Sequence, residues 1–409
     1  MTREEIYKSC VDKIAKTNCL LLESATGTGK TKISIDLIND LLQDRLNMPW
    51  QSEKDIINVL ILVAKRVHKQ TWQDEINKWG GINHPTCQIN ICMECYESLK
   101  NHCNEHWDII LADEVHHIGS EIRLQFLKTM SFGYFLGLSA TIPRKLKQFF
   151  KYRYHSEVVS CDIIEAIEDD VLPEPEILLF PLMVDNRAMT ETWEFFPKAP
   201  GPVIHAEYKD IKKYKFNKNI HSIISMTQKQ KLIEYNSLIE YFKKQTMQSH
   251  NPAVERSWLF QAGKRLEFLA EIKLPIIRDI LQKLDKSRTI TFCKTIDQAE
   301  AAGKWCIHSK NQNAQYVYEM FNSKRIDHIT AVNILNENAN LVDCKYAIFC
   351  NLSSSDIVIP QRLGRAMRHK HPVIIVPYYQ DTREQEIVEK MFSEYNRDYI
   401  RVIHSIQEI

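Results

Sequence analysis

Ser24-Ala25-Thr26-Gly27-Thr28-Gly29-Lys30-Thr31 stands between a short apolar run, Cys19–Leu22, and a segment of helical periodicity beginning near Lys32. Glycine is scarce in this chain, 11 in 409 residues, so two flanking one threonine carry information. They let successive backbone amides turn toward one point, and a helix starting there adds the positive end of its dipole. Strand, loop and helix in this order form one unit of a parallel α/β sheet, because parallel strands need a crossover connection. The loop suits a phosphate chain: Lys30 brings a point charge to the β- and γ-phosphates, and the Thr31 hydroxyl can ligate Mg²⁺. Ala25, Thr26, Gly27, Thr28, Gly29, Lys30 and Thr31 are therefore the expected nucleotide contacts. The full formula of such a loop has glycine where Ser24 stands.

The alternation continues downstream. Ile57–Ala64 is the near-continuous apolar run of a buried parallel strand and is followed by the amphipathic Val67–Trp79. Apolar runs ending at Asp113 and Ser139 extend the same sheet, and a helix is expected over residues 4–18. Around Asp169–Pro175 the chain turns acidic and proline-bearing, as linkers do. A second set of strands, Thr289–Cys293, Tyr346–Cys350 and Val373–Pro377, predicts a second α/β unit. The expected division is 1–168 and 169–409, with an insertion over about 185–270 that is mainly helical from Gln228 onward.

Asp113-Glu114-Val115-His116 lies at the carboxyl end of an apolar strand. There one carboxylate can hold Mg²⁺ through water while the next orients and deprotonates an attacking water, the division of labour that phosphoryl transfer needs.

Taken together these segments resemble the superfamily 2 helicases and translocases, of the branch with Asp-Glu-x-His in motif II. Ala25–Thr31 resembles motif I, Ala64–Trp79 motif Ia and its helix, Asp113–His116 motif II and Ser139-Ala140-Thr141 motif III. Thr291–Lys294 resembles motif IV, Asn336–Leu341 a divergent motif V, and Gln361 to Arg368 the Gln-x-x-Gly-Arg-x-x-Arg of motif VI. The resemblance covers nearly the whole chain, in order. It implies two RecA-like domains with parallel sheets that close on ATP and Mg²⁺, the metal held by Thr31 and Asp113. It also implies Glu114, Asp113, Lys30, Gln361, Arg365 and Arg368 as catalytic groups, His116, Ser139 and Thr141 as coupling residues, and nucleic-acid contacts at Lys65 and Arg66. Arg365 and Arg368, three apart, share one helix face and can reach the γ-phosphate from the second lobe, a contribution worth ~10³–10⁵ in rate.

Two departures bear on this. The family's adenine-reading Tyr-Gln falls at Tyr7-Lys8, so lysine stands where glutamine is expected, and Asn338 and Asn340 replace the usual Gly and Asp of motif V.

The expected partner is DNA, preferred over RNA because Asp-Glu-x-His-His and the compact second lobe look more like restriction and repair translocases. With 53 basic and 52 acidic residues the net charge is +1, so nucleic-acid affinity must come from local patches. Glu207–Lys218 interleaves lysines, among them Lys209, Lys212, Lys213 and Lys215, with aromatics, and is read as a backbone-tracking patch set against a plain solvated surface. The alternatives are a nucleic-acid sensor or clamp, or the motor subunit of a restriction or defence assembly with protein partners; no nuclease or methyltransferase motif is evident. No apolar run approaches the roughly 18 residues of a membrane span, and a soluble cytoplasmic protein is expected. Cys87, Cys92, Cys95 and Cys103 are irregularly spaced, and the alternating strand around Cys92 scatters them, which speaks against a zinc site.

Overall fold

The structure, a computed structural model, describes residues 1–43, 56–195, 204–206, 220–249, 251–332, 341–352 and 369–409. Its first half is a parallel sheet of β1 (Cys19–Ser24), β2 (Ile56–Val63), β3 (Gln88–Cys95), β4 (His106–Asp113), β5 (Ser131–Ser139) and β6 (Glu157–Cys161), in the spatial order β3-β2-β4-β5-β1-β6. Helices α1 (Arg3–Ile14), α2 (Lys30–Leu42), α3 (Arg66–Lys78), α4 (Glu121–Thr129), α5 (Arg144–Tyr154) and α6 (Ile163–Glu168) accompany it.

The near-continuous apolar runs are explained by cover on both faces. Leu20, Leu22, Val59, Ile61, Ile109 and Leu111 point to one side, where Ile6, Ile35, Ile38 and Trp72 pack. Their neighbours Leu21, Leu60, Leu62, Ile110 and Ala112 point to the other, against Ile118, Leu127, Leu146 and Phe150. A period of two with both faces buried leaves no polar positions in the strand centres.

Residues 169–175 carry neither helix nor strand. A second sheet follows, built from β7 (Glu176–Leu182), β11 (Thr289–Phe292), β12 (Cys306–Ile307), β13 (His328–Ala331), β14 (Tyr346–Phe349), β15 (Val373–Tyr379) and β16 (Ile400–Val402), all paired in parallel. Its order is β12-β13-β11-β14-β15-β7-β16. The fold is thus α/β with two parallel, RecA-like sheets.

Between β7 and β11 lies an insertion. It opens with an antiparallel ribbon, β8 (Met189–Phe195), β9 (Ile204–Ala206) and β10 (Ile220–Thr227), ordered β10-β8-β9. It continues as a hairpin of two long helices, α7 (Gln228–Ser249) and α8 (Pro252–Ile272), and then α9 (Leu274–Lys283). The helices agree with the expectation from the sequence; the ribbon was not foreseen. Helices α10 (Ile296–Ala302), α11 (Ala314–Asn322) and α12 (Arg383–Met391) flank the second sheet.

All eleven cysteines are free thiols. Burial pushes those of Cys10 and Cys344 up to about 12, so they remain protonated and act as small apolar fillers. No helix among the described residues is long and apolar enough to cross a membrane.

Candidate nucleotide site

The phosphate loop lies at the carboxyl end of β1 and the acid pair at that of β4, with β5 between them in register. Ligand crevices of open α/β sheets occur at such strand ends. Here a cavity of about 680 Å³ is lined by Thr26 to Ile33, Asp113 and Glu114, by Arg3, Glu4 and Tyr7 of α1, and by Thr71, Trp72, Glu75, Lys78 and Trp79 from α3 and its end.

Gly27 (φ 104°) and Gly29 (φ 96°) occupy the left-handed region, and Gly29 caps α2. A side chain at either would be strained, which is why glycine flanks the threonine. Ser24, in place of the formula's glycine, is fully buried and its hydroxyl meets that of Thr28 at 2.7 Å; Thr28 in turn donates to the Ala25 carbonyl at 2.8 Å. The serine braces the loop from beneath. Lys30 Nζ donates to the carbonyls of Ser24 (2.6 Å) and Ala25 (3.0 Å), which holds its charge over the loop.

Asp113 is nearly buried at the end of β4. The Trp72 indole N–H donates to its Oδ2 at 2.9 Å, and the Tyr96 hydroxyl donates to its backbone carbonyl at 2.7 Å. Glu114 follows with φ 51° and ψ 55°. A left-handed non-glycine residue costs about 1–2 kcal/mol, and the turn it makes directs the carboxylate at Ser139. The Ser139 hydroxyl is 3.1 Å from Glu114 Oε2, 3.0 Å from His116 Nδ1 and 2.9 Å from the Thr141 carbonyl oxygen, and the Thr141 amide reaches Ser139 Oγ at 3.3 Å. Glu114, His116, Ser139 and Thr141 therefore form one connected group joining the ends of β4 and β5. Oxygen donors of Thr31 and Asp113 in one cavity with a lysine suit a hard divalent cation such as Mg²⁺.

Lys65 and Arg66 are exposed at the start of α3. Tyr7 lines the cavity and its hydroxyl donates to Asp40, whereas Lys8 is exposed and outside the lining. Gln361, Arg365 and Arg368 lie outside the described residues, as do Lys209, Lys212, Lys213, Lys215, Asn338 and Asn340. Trp72 and Tyr96 were not singled out from the sequence. Only the rule that a buried indole or phenol usually finds a partner for its polar atom hints at them.

Among the described residues, Cys92 is the one cysteine that joins other metal-ligating types: its sulfur lies with Glu94 and His102 within 4.8 Å. Glu94 is also paired with Lys69 at 3.1 Å, and His102 Nδ1 lies 2.6 Å from Glu105, so both side chains have other partners at the sheet edge.

A phosphate loop and an acid pair on strands of one parallel sheet, followed by a second such sheet, define a helicase-type nucleotide-hydrolysing protein. The chain belongs to the superfamily 2 helicases. Residues 2–144 match the family model described as "Type III restriction enzyme, res subunit", and residues 272–370 match "Helicase conserved C-terminal domain". Among solved structures it is similar to S. cerevisiae Dbp5 bound to RNA and ADP BeF3, with 11% identity, a TM-score of 0.56, and coverage of 98% of this chain and 89% of that one. The Pyrococcus furiosus Hef helicase domain is 16% identical, with a TM-score of 0.45 over 95% of this chain and 97% of that one. No curated protein sequence matches the chain.

Proposed function

We propose that the chain is an ATP-driven motor that moves along or remodels nucleic acid, DNA in preference to RNA, and hydrolyses ATP with Mg²⁺ at this cavity. The observation that carries the reading is the convergence of Lys30, Thr31, Asp113 and Glu114 on one cavity at the N-terminus of α2. In this reading Lys30 and the amides of Ala25 to Thr31 cradle the triphosphate, and Thr31 and Asp113 would hold Mg²⁺, which would supply positive charge beside the phosphates. Glu114 orients the attacking water and takes its proton. Arg365 and Arg368, with Gln361, complete the site from the second lobe, so hydrolysis requires closure. Ser139, Thr141 and His116 pass the state of Glu114 to the nucleic-acid track, which includes Lys65, Arg66 and the lysines 209, 212, 213 and 215. The lobes divide at residues 168 and 169, a reading supported by the irregular stretch between α6 and β7.

The match to a restriction-enzyme subunit model favours DNA, and it equally favours the second reading, a motor subunit working within a larger assembly. Free thiols throughout suit a reducing cytoplasm. ATPase rates with single- and double-stranded DNA and RNA, followed by strand displacement on the best activator, test the proposal. Hydrolysis indifferent to every nucleic acid would reject it, and stimulation without displacement would favour translocation or clamping.

A further inference from the structure

The Trp72–Asp113 contact joins two features that the proposed function treats separately. Trp72 is 2% and Asp113 7% exposed, and the indole N–H reaches the carboxylate at 2.9 Å. An indole has one polar hydrogen and no acceptor, so its orientation is committed by this bond. A hydrogen bond to a charged acceptor, away from water, is among the stronger ones a protein makes.

The same helix begins at the exposed Lys65 and Arg66. Trp72 stands six residues after Arg66, a rise of about 9 Å along a continuous helix. At its far end the Trp79 ring faces Lys32 of α2, whose ammonium is 5.1 Å from the ring centroid, and the Trp79 indole is held by Glu75 at 2.7 Å. Helix α3 thus touches the nucleotide site at two places, the carboxylate at the end of β4 and the first turn of α2. The backbone of Asp113 is fixed independently by Tyr96. A shift or tilt of α3 therefore reaches the Asp113 carboxylate through a bond separate from the one that holds its backbone carbonyl.

We propose that Trp72 is a positioning residue: it orients the Asp113 carboxylate for the divalent cation, and through α3 it makes that orientation depend on nucleic acid bound at Lys65 and Arg66. The proposal rests on the function proposed above. Groups that hydrogen-bond a metal-ligating carboxylate typically change metal affinity by 10–100-fold when lost.

The test uses Trp72→Phe, which keeps a large apolar ring under α3 and removes the N–H. ATPase rate is measured against Mg²⁺ concentration at saturating ATP, and binding of Mn²⁺ as a stand-in cation is titrated by its electron paramagnetic resonance signal, each with and without the nucleic acid that best stimulates the wild type. The expected result is a half-saturating Mg²⁺ concentration raised roughly tenfold or more. In the wild type nucleic acid lowers that concentration, and in the variant the effect is lost. Trp72→His, which restores an N–H donor on a smaller ring, recovers part of the affinity and serves if the phenylalanine variant does not fold. An unchanged Mg²⁺ requirement in a folded variant overturns the positioning role. A raised requirement that nucleic acid lowers as much as in the wild type overturns the link along α3. A wild-type protein without Mg²⁺-dependent ATPase activity instead defeats the underlying functional reading.

Discussion

Lys273 and Glu384 form an ion pair at 2.6 Å in which neither side chain is exposed to solvent. Lys273 sits at the turn from α8 into α9, and Glu384 in the first turn of α12. Lys273 Nζ also donates to the Pro377 carbonyl at 3.2 Å, Glu384 Oε2 accepts the Tyr379 amide at 3.1 Å, and the Tyr379 hydroxyl donates to the Ile272 carbonyl at 3.1 Å. This satisfied polar knot is where the inserted helices return to the second sheet. Removing one partner leaves the other charge buried, so Lys273→Met should cost about 3–5 kcal/mol. Pairing it with Glu384→Leu should recover part of the loss, though not all, because the Tyr379 amide would still lack its acceptor. Calorimetric melting of the single and double variants measures both, with a drop of roughly 6 °C or more expected for the single. Equal midpoints for wild type and Lys273→Met would show the pair contributes nothing.

At the nucleotide site, Lys30→Ala and Glu114→Gln should abolish turnover by different routes. Lys30→Ala removes the charge that meets the β- and γ-phosphates and weakens ATP binding. Glu114→Gln keeps the shape and the Ser139 contact but loses the base, so ATP binds and is not hydrolysed. Binding titrations beside steady-state rates separate the two. A glutamine variant turning over near the wild-type rate would remove Glu114 from its role.

Arg365→Ala and Arg368→Ala should each lower the hydrolysis rate by orders of magnitude, up to about 10³–10⁵, with modest change in ATP affinity. In the proposed mechanism their charge is needed chiefly in the transition state. Single-turnover rates with saturating nucleic acid provide the check, and undiminished rates in both variants would contradict closure of the second lobe on the phosphate.

Base selectivity should be loose. Tyr7 lines the cavity while Lys8, in the place of the family's glutamine, is exposed outside it, and a lysine offers donors only where a glutamine amide offers both donor and acceptor. In the proposed mechanism the remaining site residues address phosphate and metal, which all nucleoside triphosphates share. GTP, CTP or UTP should therefore support part of the ATP rate. Comparison of kcat/KM across the four decides, and a preference for ATP on the order of a thousandfold would refute it.

The site was legible in the sequence to the extent that local chemistry determines it. Gly27 and Gly29 are required by backbone angles, and the acid pair by its place at a strand end. Parallel strands announced themselves because burial on both faces leaves only apolar residues. The antiparallel ribbon did not, since β8 and β10 mix polar and apolar residues and hold no continuous apolar run. Strand β7 escaped notice because it ends in Pro181-Leu182 and its partners are far along the chain. Trp72 read as one more apolar position of an amphipathic helix. That its nitrogen meets Asp113, 41 residues away, is a product of packing between elements and has no local signature. The role of Ser24 was hidden for the same reason: its partner Thr28 becomes one only once the loop has folded.

Strand β7 lies between β15 and β16, and the Arg401–Glu176 ion pair at its edge joins residues 225 positions apart. During synthesis the first sheet can close as soon as Cys161 has emerged. Residues 176–182, by contrast, leave the ribosome long before either neighbour exists. At about 5–20 residues per second that wait lasts roughly ten to forty seconds. Throughout it an apolar strand has both hydrogen-bonding edges open, in a nascent chain whose first half is already folded, which makes β7 the segment most dependent on chaperone cover and the place where a slowed or truncated translation product would begin to aggregate.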